Sequence, residues 1–306
     1  MSTQPRAPFE LTVLMYHYIR DTDDAAEAGP RIPGLPVARF TSQLDELAQN
    51  HHVAGWPEVQ AWLGGGPPLP ARAALVTFDD GLSDHYYNVY PLLRERGLTG
   101  LFFVLARTPA AGLALGHKVH FLLAVLGQDG LRAAVWQRLS PALQAQYRQA
   151  EAHYQPQFDS STAGGALNVF KSIVQRELCA PADGVLSDLF AEHVGDEMAT
   201  AAEFYLQPAQ IQVMAAGGMH FGGHSASHPW FDFIGAEQQA GEIAASAAWL
   251  AGIEPGPWAF AYPYGGLSPE APQLLAERGF LAAFTTQTRV EHDDPYLIGR
   301  LDGEGL

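Results

Sequence analysis

Cysteine is nearly absent: Cys179 is the only one in 306 residues, so no intramolecular disulfide can form and nothing demands an oxidising compartment. Basic residues are scarce too. The count is 17 Lys and Arg against 33 Asp and Glu, and a formal net charge of −16 argues against a nucleic-acid backbone or an anionic bilayer as the main partner. The opening stretch MSTQPRAPFE lacks the continuous apolar core of a signal peptide, and no later run is long and apolar enough to span a membrane. These absences point to a cytoplasmic chain with no membrane span and a neutral or locally guided substrate. Short-period repeats are missing as well. What is present, 47% hydrophobic and 16% charged residues, suits one large domain over 1–306 or a domain carrying a substantial insertion.

The stretch AALVTFDDG, residues 73–81, organises the rest. Its small and β-branched residues suit a buried parallel strand, and the glycine lets the chain turn sharply behind two adjacent carboxylates. Side chains alternate along a strand, so Asp79 and Asp80 point in different directions unless the turn begins between them. One can then hold a metal while the other handles a proton. The tripeptide alone also fits an exposed Asp-Asp-Gly turn. In FGGHSASHPWF, residues 221–231, His224 and His228 lie four apart, a spacing that puts two imidazoles on one face of a helical turn. With Asp80 they make a two-histidine, one-carboxylate set with open positions for water and substrate. Such a set suits zinc first, with iron, cobalt, nickel or manganese as alternatives. A pair of polar loop histidines is the other reading of that motif by itself.

TFDDG, HSASHP and AYPYG, in that order, resemble the first three motifs of the polysaccharide deacetylases, the NodB-homology proteins of carbohydrate esterase family four. The resemblance runs from about residue 11 to residue 300. It implies an irregular (β/α) barrel with fewer than eight strands and a site at the C-terminal strand ends. It also implies that Asp79 is the catalytic base, that Asp80, His224 and His228 bind one divalent metal, and that Pro263 and Tyr264 help form an acetyl pocket. The substrate would be an N-acetylated sugar or oligosaccharide, losing its acetyl group to water, with the backbone N–H of Tyr264 meeting the charge on the carbonyl oxygen. Trp230, Trp258, Tyr262 and Tyr264 offer aromatic faces to a sugar ring, or simply fill the core. Two departures stand out. Ala261 occupies the place of a family arginine, for which Arg300 is the candidate substitute, unless it makes a surface ion pair with Asp302. The late family histidine that protonates the leaving amine is missing, so His17 or His292, or a metal-linked water, would replace it. Alternatives are an amidase or esterase on a non-sugar substrate, or a catalytically silent metal-containing carbohydrate-binding protein. Nothing in the sequence speaks to oligomeric state.

Along the chain, residues 11–18 read as the first strand with His17 at its C-terminal end, and 21–36 as a surface loop. A helix over 40–49 presents Phe40, Leu44, Leu47 and Ala48 on one side. A second, over 84–96, presents Tyr87, Tyr90 and Leu93 and stops at Gly97. Strands follow over 99–105, 257–262 and, more loosely, 296–301, with a helix over 237–251. Between about 107 and 207 the alternation stops, and the segment reads as a helical insertion near the active-site mouth. His117, Lys118 and His120 open it as solvent-facing residues, and Arg176 and Glu177 are solvated helix charges.

Overall fold

Short apolar runs bounded by turn residues form eight strands in the computed structural model, which describes residues 11–21, 32–159, 162–288 and 294–305. They are β1 (Leu11–Tyr16), β2 (His52–Val53), β3 (Ala73–Phe78), β4 (Leu101–Val104), β5 (His220–Gly223), β6 (Trp258–Ala261), β7 (Phe280–Phe284) and β8 (Leu301–Asp302). Every pairing is parallel. The path runs β7-β6-β5-β4-β3-β1-β8, and two-residue β2 joins it sideways at the start of β3. The stretch between β7 and β8 completes the circuit: Ile298 pairs with Phe284 of β7, and Leu301 and Asp302 pair with Leu14 and Met15 of β1. This is an irregular (β/α) barrel with seven strands along its path.

The two-residue period of the strands sorts their side chains into two cores. Val76 and Phe78 of β3 pack with Phe40, Leu44 and Leu47 of the helix Val37–Asn50, while Leu75 joins Val13, Phe103, Ala259, Ala261, Ala282 and Phe284 on the other side. Burying each such Leu or Phe side chain is worth about 1.5–3 kcal/mol relative to exposure. Thr77 and Asp79 share the parity of Leu75, so the strand aims Asp79 at the inner core. Ala48 is exposed, because the apolar stripe consists of positions 40, 44 and 47 only. The segment after β3 also departs from a plain helix. A π turn, His85–Val89, precedes the α-helix Tyr90–Glu95, and its wider spacing swings Tyr87 off the stripe, leaving it 64% exposed while Tyr90 and Leu93 are buried.

Residues Ala110–Ala202 belong to a second compact unit. Its helices include Leu115–Arg138, which kinks where Gly127 adopts φ +66°, Pro141–Tyr154, Ala163–Ser172 and Cys179–His193. Ser140 and Thr162 cap two of them by accepting from Leu143 N–H and Gly165 N–H. Val119, Leu122, Val135, Tyr154, Phe170, Leu186 and Leu189 supply its own core. His117 and Lys118 are buried here, not solvent-facing, because the helix begins at Leu115 and turns them inward. Lys118 Nζ is satisfied by Asp183 Oδ1 at 2.8 Å, Ser187 Oγ at 2.9 Å and Glu197 Oε1 at 3.0 Å. His120 Nε2 lies 3.1 Å from Lys171 Nζ. Among the described residues no helix is long and apolar enough to cross a membrane.

Candidate active site

Asp79 extends the pairing of β3 by one residue, its N–H donating to Tyr16 O at 2.9 Å, and its carboxylate is 2% exposed. Arg300 grips it with both prongs: Nη1 donates to Oδ1 and Nη2 to Oδ2, each at 2.7 Å. Further bonds hold the guanidinium itself, from Nη1 to Thr77 Oγ1 at 3.2 Å and from Nε to Thr285 O at 3.1 Å. Arg300 is therefore a buried residue, and Asp302 instead accepts from Glu304 N–H. It lies just before β8, on the stretch that completes the barrel, whereas the longer strand expected over 296–301 is not formed. Burial alone would raise the Asp79 carboxyl, but the charge of Arg300, then those of His224 and His17, outweigh it and hold the pKa below the usual range.

Asp80 breaks the alternation. It stands at φ +73° and Gly81 at φ +64°, where a Cβ would also lie 2.8 Å from Val104 Cγ1. Asp80 Oδ1 thereby comes 3.4 Å from both His224 Nε2 and His228 Nε2, which are 3.1 Å from each other. The two imidazoles meet, though not on a helix. Ser225 at φ +67° and His228 at φ +63° make an irregular turn, and Pro229 disfavours a right-handed helical residue before it. Glu242, buried on the helix Ala236–Leu250, holds that turn: Oε2 accepts from the N–H groups of Ala226 and Ser227, both at 2.8 Å, and Oε1 from Ser227 Oγ at 2.7 Å. His228 N–H donates to Ser225 Oγ at 2.9 Å. Of the five non-glycine residues with left-handed φ among those described, four are Asp80, Ser225, His228 and Tyr264. Strain is thus concentrated at this rim.

The donor set fits a divalent cation. Ligand atoms about 2.0–2.2 Å from one ion, at angles near 90–110°, lie about 3.0–3.5 Å from one another, and the three separations fall in that span. His224 Nδ1 donates to Ala261 O at 2.8 Å, which fixes the tautomer and turns the Nε2 lone pair toward Asp80 and His228. Burial would lower the pKa of His224, but the carboxylates of Asp79 and Asp80 overcome it and raise the value, so the local field favours positive charge.

Around this centre, Tyr264 stands at φ +56° after buried Pro263, its ring centroid 4.3 Å from that of His228. Trp230 stacks on Tyr264 at 4.5 Å and 9°, so one indole face is already covered. Tyr262 is wholly buried and Trp258 packs on Phe280, which makes both of them core residues. His17 follows β1, with Nε2 3.9 Å from Asp79 Oδ2 and Nδ1 3.9 Å from Glu304 Oε1. Its N–H donates to Glu304 Oε1 at 3.2 Å. His292 lies outside the described residues. Glu242 and Glu304 escaped the sequence reading. For Glu242 a signal existed, a carboxylate on the same helical face as Gln239, Ile243 and Ser246.

The family described as Polysaccharide deacetylase matches residues 66–140 and 186–283, more than half of the chain, with an internal break that falls within the helical unit. YxkH of Bacillus subtilis (strain 168), which bears a polysaccharide deacetylase name, is 27% identical over 114 residues, 37% of this chain; the match spans about a third of that relative's length, 36%. Among solved structures, IcaB from Ammonifex degensii is similar at 21% identity and a TM-score of 0.56, and the Streptococcus pyogenes deacetylase PplD, in complex with acetate, at 16% and 0.56. Each covers 95% of this chain and 91% of its own. At these identities the likeness is one of fold.

Proposed function

The chain belongs to the polysaccharide deacetylase family, and on that premise we propose that it is a metal-dependent hydrolase removing the acetyl group from the nitrogen of an N-acetylated sugar or oligosaccharide by water attack. The observation that carries this reading is the adjacency of two differently tuned carboxylates: Asp79, kept ionised by Arg300, and Asp80, turned toward two imidazoles. Zinc, or alternatively iron, cobalt, nickel or manganese, held by Asp80, His224 and His228, would acidify a bound water and polarise the acetyl carbonyl. Asp79 takes a proton from the attacking water as its oxygen bonds to the carbonyl carbon. The backbone N–H of Tyr264 faces the charge gathering on the carbonyl oxygen. When the C–N bond breaks, its electron pair stays on nitrogen, which accepts a proton from His17. No covalent enzyme intermediate is required. Pro263 walls the acetyl pocket, and Trp230, with Tyr264, borders the sugar.

A silent binding protein needs only Asp80 and the histidines, so the forked pairing of Arg300 with Asp79 favours turnover. The deciding experiment incubates the metal-loaded protein with a panel of N-acetylated sugars, nucleotide sugars and short oligosaccharides and measures released acetate. Acetate from any of them supports the reading. Acetate only from esters or non-sugar amides moves the substrate class.

A further inference from the structure

We propose that Asp84, His85 and Asn88 are positioning residues for His17, fixing the loop that carries it so that its imidazole stands beside Asp79. The inference rests on the role given to His17 above. Residues 17–20 leave β1, a bridge to Leu35 takes Tyr18 O and Arg20 N–H, and side chains from the first turn after the TFDDG motif take three more of their backbone groups. His85 Nε2 donates to His17 O at 3.0 Å. Asp84 Oδ2 accepts from Ile19 N–H at 3.2 Å, and both of its oxygens are forked by Arg20, at 2.7 and 2.9 Å. Asn88 Nδ2 donates to Ile19 O at 2.7 Å. On the other side of the loop, Glu304 holds the His17 N–H.

The base of this clasp is rigid. His85 is fully buried, its ring 5.5 Å from Phe78 and 5.6 Å from Phe102, side chains of β3 and β4. Because a carbonyl only accepts, Nε2 must carry the proton, and burial pushes the pKa of His85 down to about 4, so the ring is a neutral donor in neutral solution. His85 and Asn88 lie in the π turn His85–Val89 and Asp84 immediately precedes it, a geometry that recurs at functional sites. The strand delivering Asp79 thus continues directly into the element that places its partner, tying the spacing of the two groups to one short stretch of chain.

The test separates positioning from simple support of the fold by the leaving group. An amine must be protonated to depart, whereas the nitrophenolate of 4-nitrophenyl acetate leaves unaided. His85→Leu and Asn88→Ala should lower kcat for acetate release from the N-acetylated substrate by about 10- to 100-fold, the scale of a misplacement near 1 Å. KM, metal content and nitrophenyl acetate hydrolysis should each stay within about twofold. His85→Gln, whose amide can again donate to His17 O, should recover most of the loss. Equal losses on both substrates, full amide activity in the Leu and Ala variants, or a folded Gln variant without recovery would each overturn the proposal. If the wild type hydrolyses only the ester, the substrate reading fails by itself. The positioning is then read from the His17 imidazole signals by NMR: a single sharp set in wild type and Gln, and broadening in Leu and Ala, are expected. Identical spectra in all four overturn it.

Discussion

Lys118 in the helical unit and Asp80 at the barrel rim are both buried charges, 4% exposed each, and what surrounds them differs in kind. The three protons of Lys118 meet three acceptors, from Asp183, Ser187 and Glu197, so that charge is compensated within the unit. At Asp80 the neighbours are two imidazole nitrogens, all three atoms of a type that binds metal, drawn to within 3.4 Å on a backbone with four left-handed residues. A network that closes on itself stabilises the fold. Convergent ligand atoms cost stability until a cation joins them, and that cost marks a site kept for chemistry.

This contrast can be broken at several points. The largest effect is expected at the ligands: His224→Ala or His228→Ala should remove most bound metal by elemental analysis and take acetate release with it, and undiminished stoichiometry in both variants would erase the distinction. Asp79→Asn should keep its metal while turnover falls by roughly the 10²–10⁴-fold typical of general acid–base groups. Lys118→Met should do the reverse, costing about 3 kcal/mol in urea unfolding, the lower end for a broken buried pair because Asp183 is half exposed. Its metal content and kcat per folded molecule should not change. Arg300→Met lies between these cases. Arg300 lowers the Asp79 pKa in the folded state, so activity that needs the ionised base persists to lower pH in the wild type. Losing the arginine should move the acidic limb of the rate profile upward by about 1–3 pH units, with Arg300→Lys intermediate because it keeps a charge without the fork. An unmoved limb in the Met variant would make Arg300 a structural residue like Lys118.

Much of this arrangement was legible where the signal is local. Strand parity carries Leu75, Thr77 and Asp79 to one side, and the DDG ending announces a turn that separates two carboxylates. The four-residue spacing of His224 and His228 identified partners but not their conformation, since Pro229 and Glu242 set that turn and only one of them is adjacent. Arg300 was found through the resemblance, which puts an arginine where Ala261 stands and leaves its place beside Asp79 to another strand end. What stayed hidden depends on side chains capturing remote backbone: His85 on residue 17, Glu304 on the same residue from the far end of the chain, Glu242 on residues 226 and 227. Periodicity has no term for such bonds. Tyr87 and Lys118 were misplaced for a simpler reason, because a π turn and an earlier helix start shift the face on which a residue falls.

The stretch that completes the barrel also sets a schedule. Asp79 and Arg300 are separated by 221 positions, so on the ribosome the carboxylate is made, and its strand can be covered, long before the guanidinium exists. Contacts of such separation are the late ones in folding, since the loop they close is long. Until residues 298–302 dock between β7 and β1, the buried Asp79 carboxyl lacks the strongest of the charges that oppose its burial, and its pKa stands higher than in the finished fold. If Asp79 is the base proposed above, a nascent or half-folded chain holds that base without its arginine, and the pairing arrives only with the last closure of the ring.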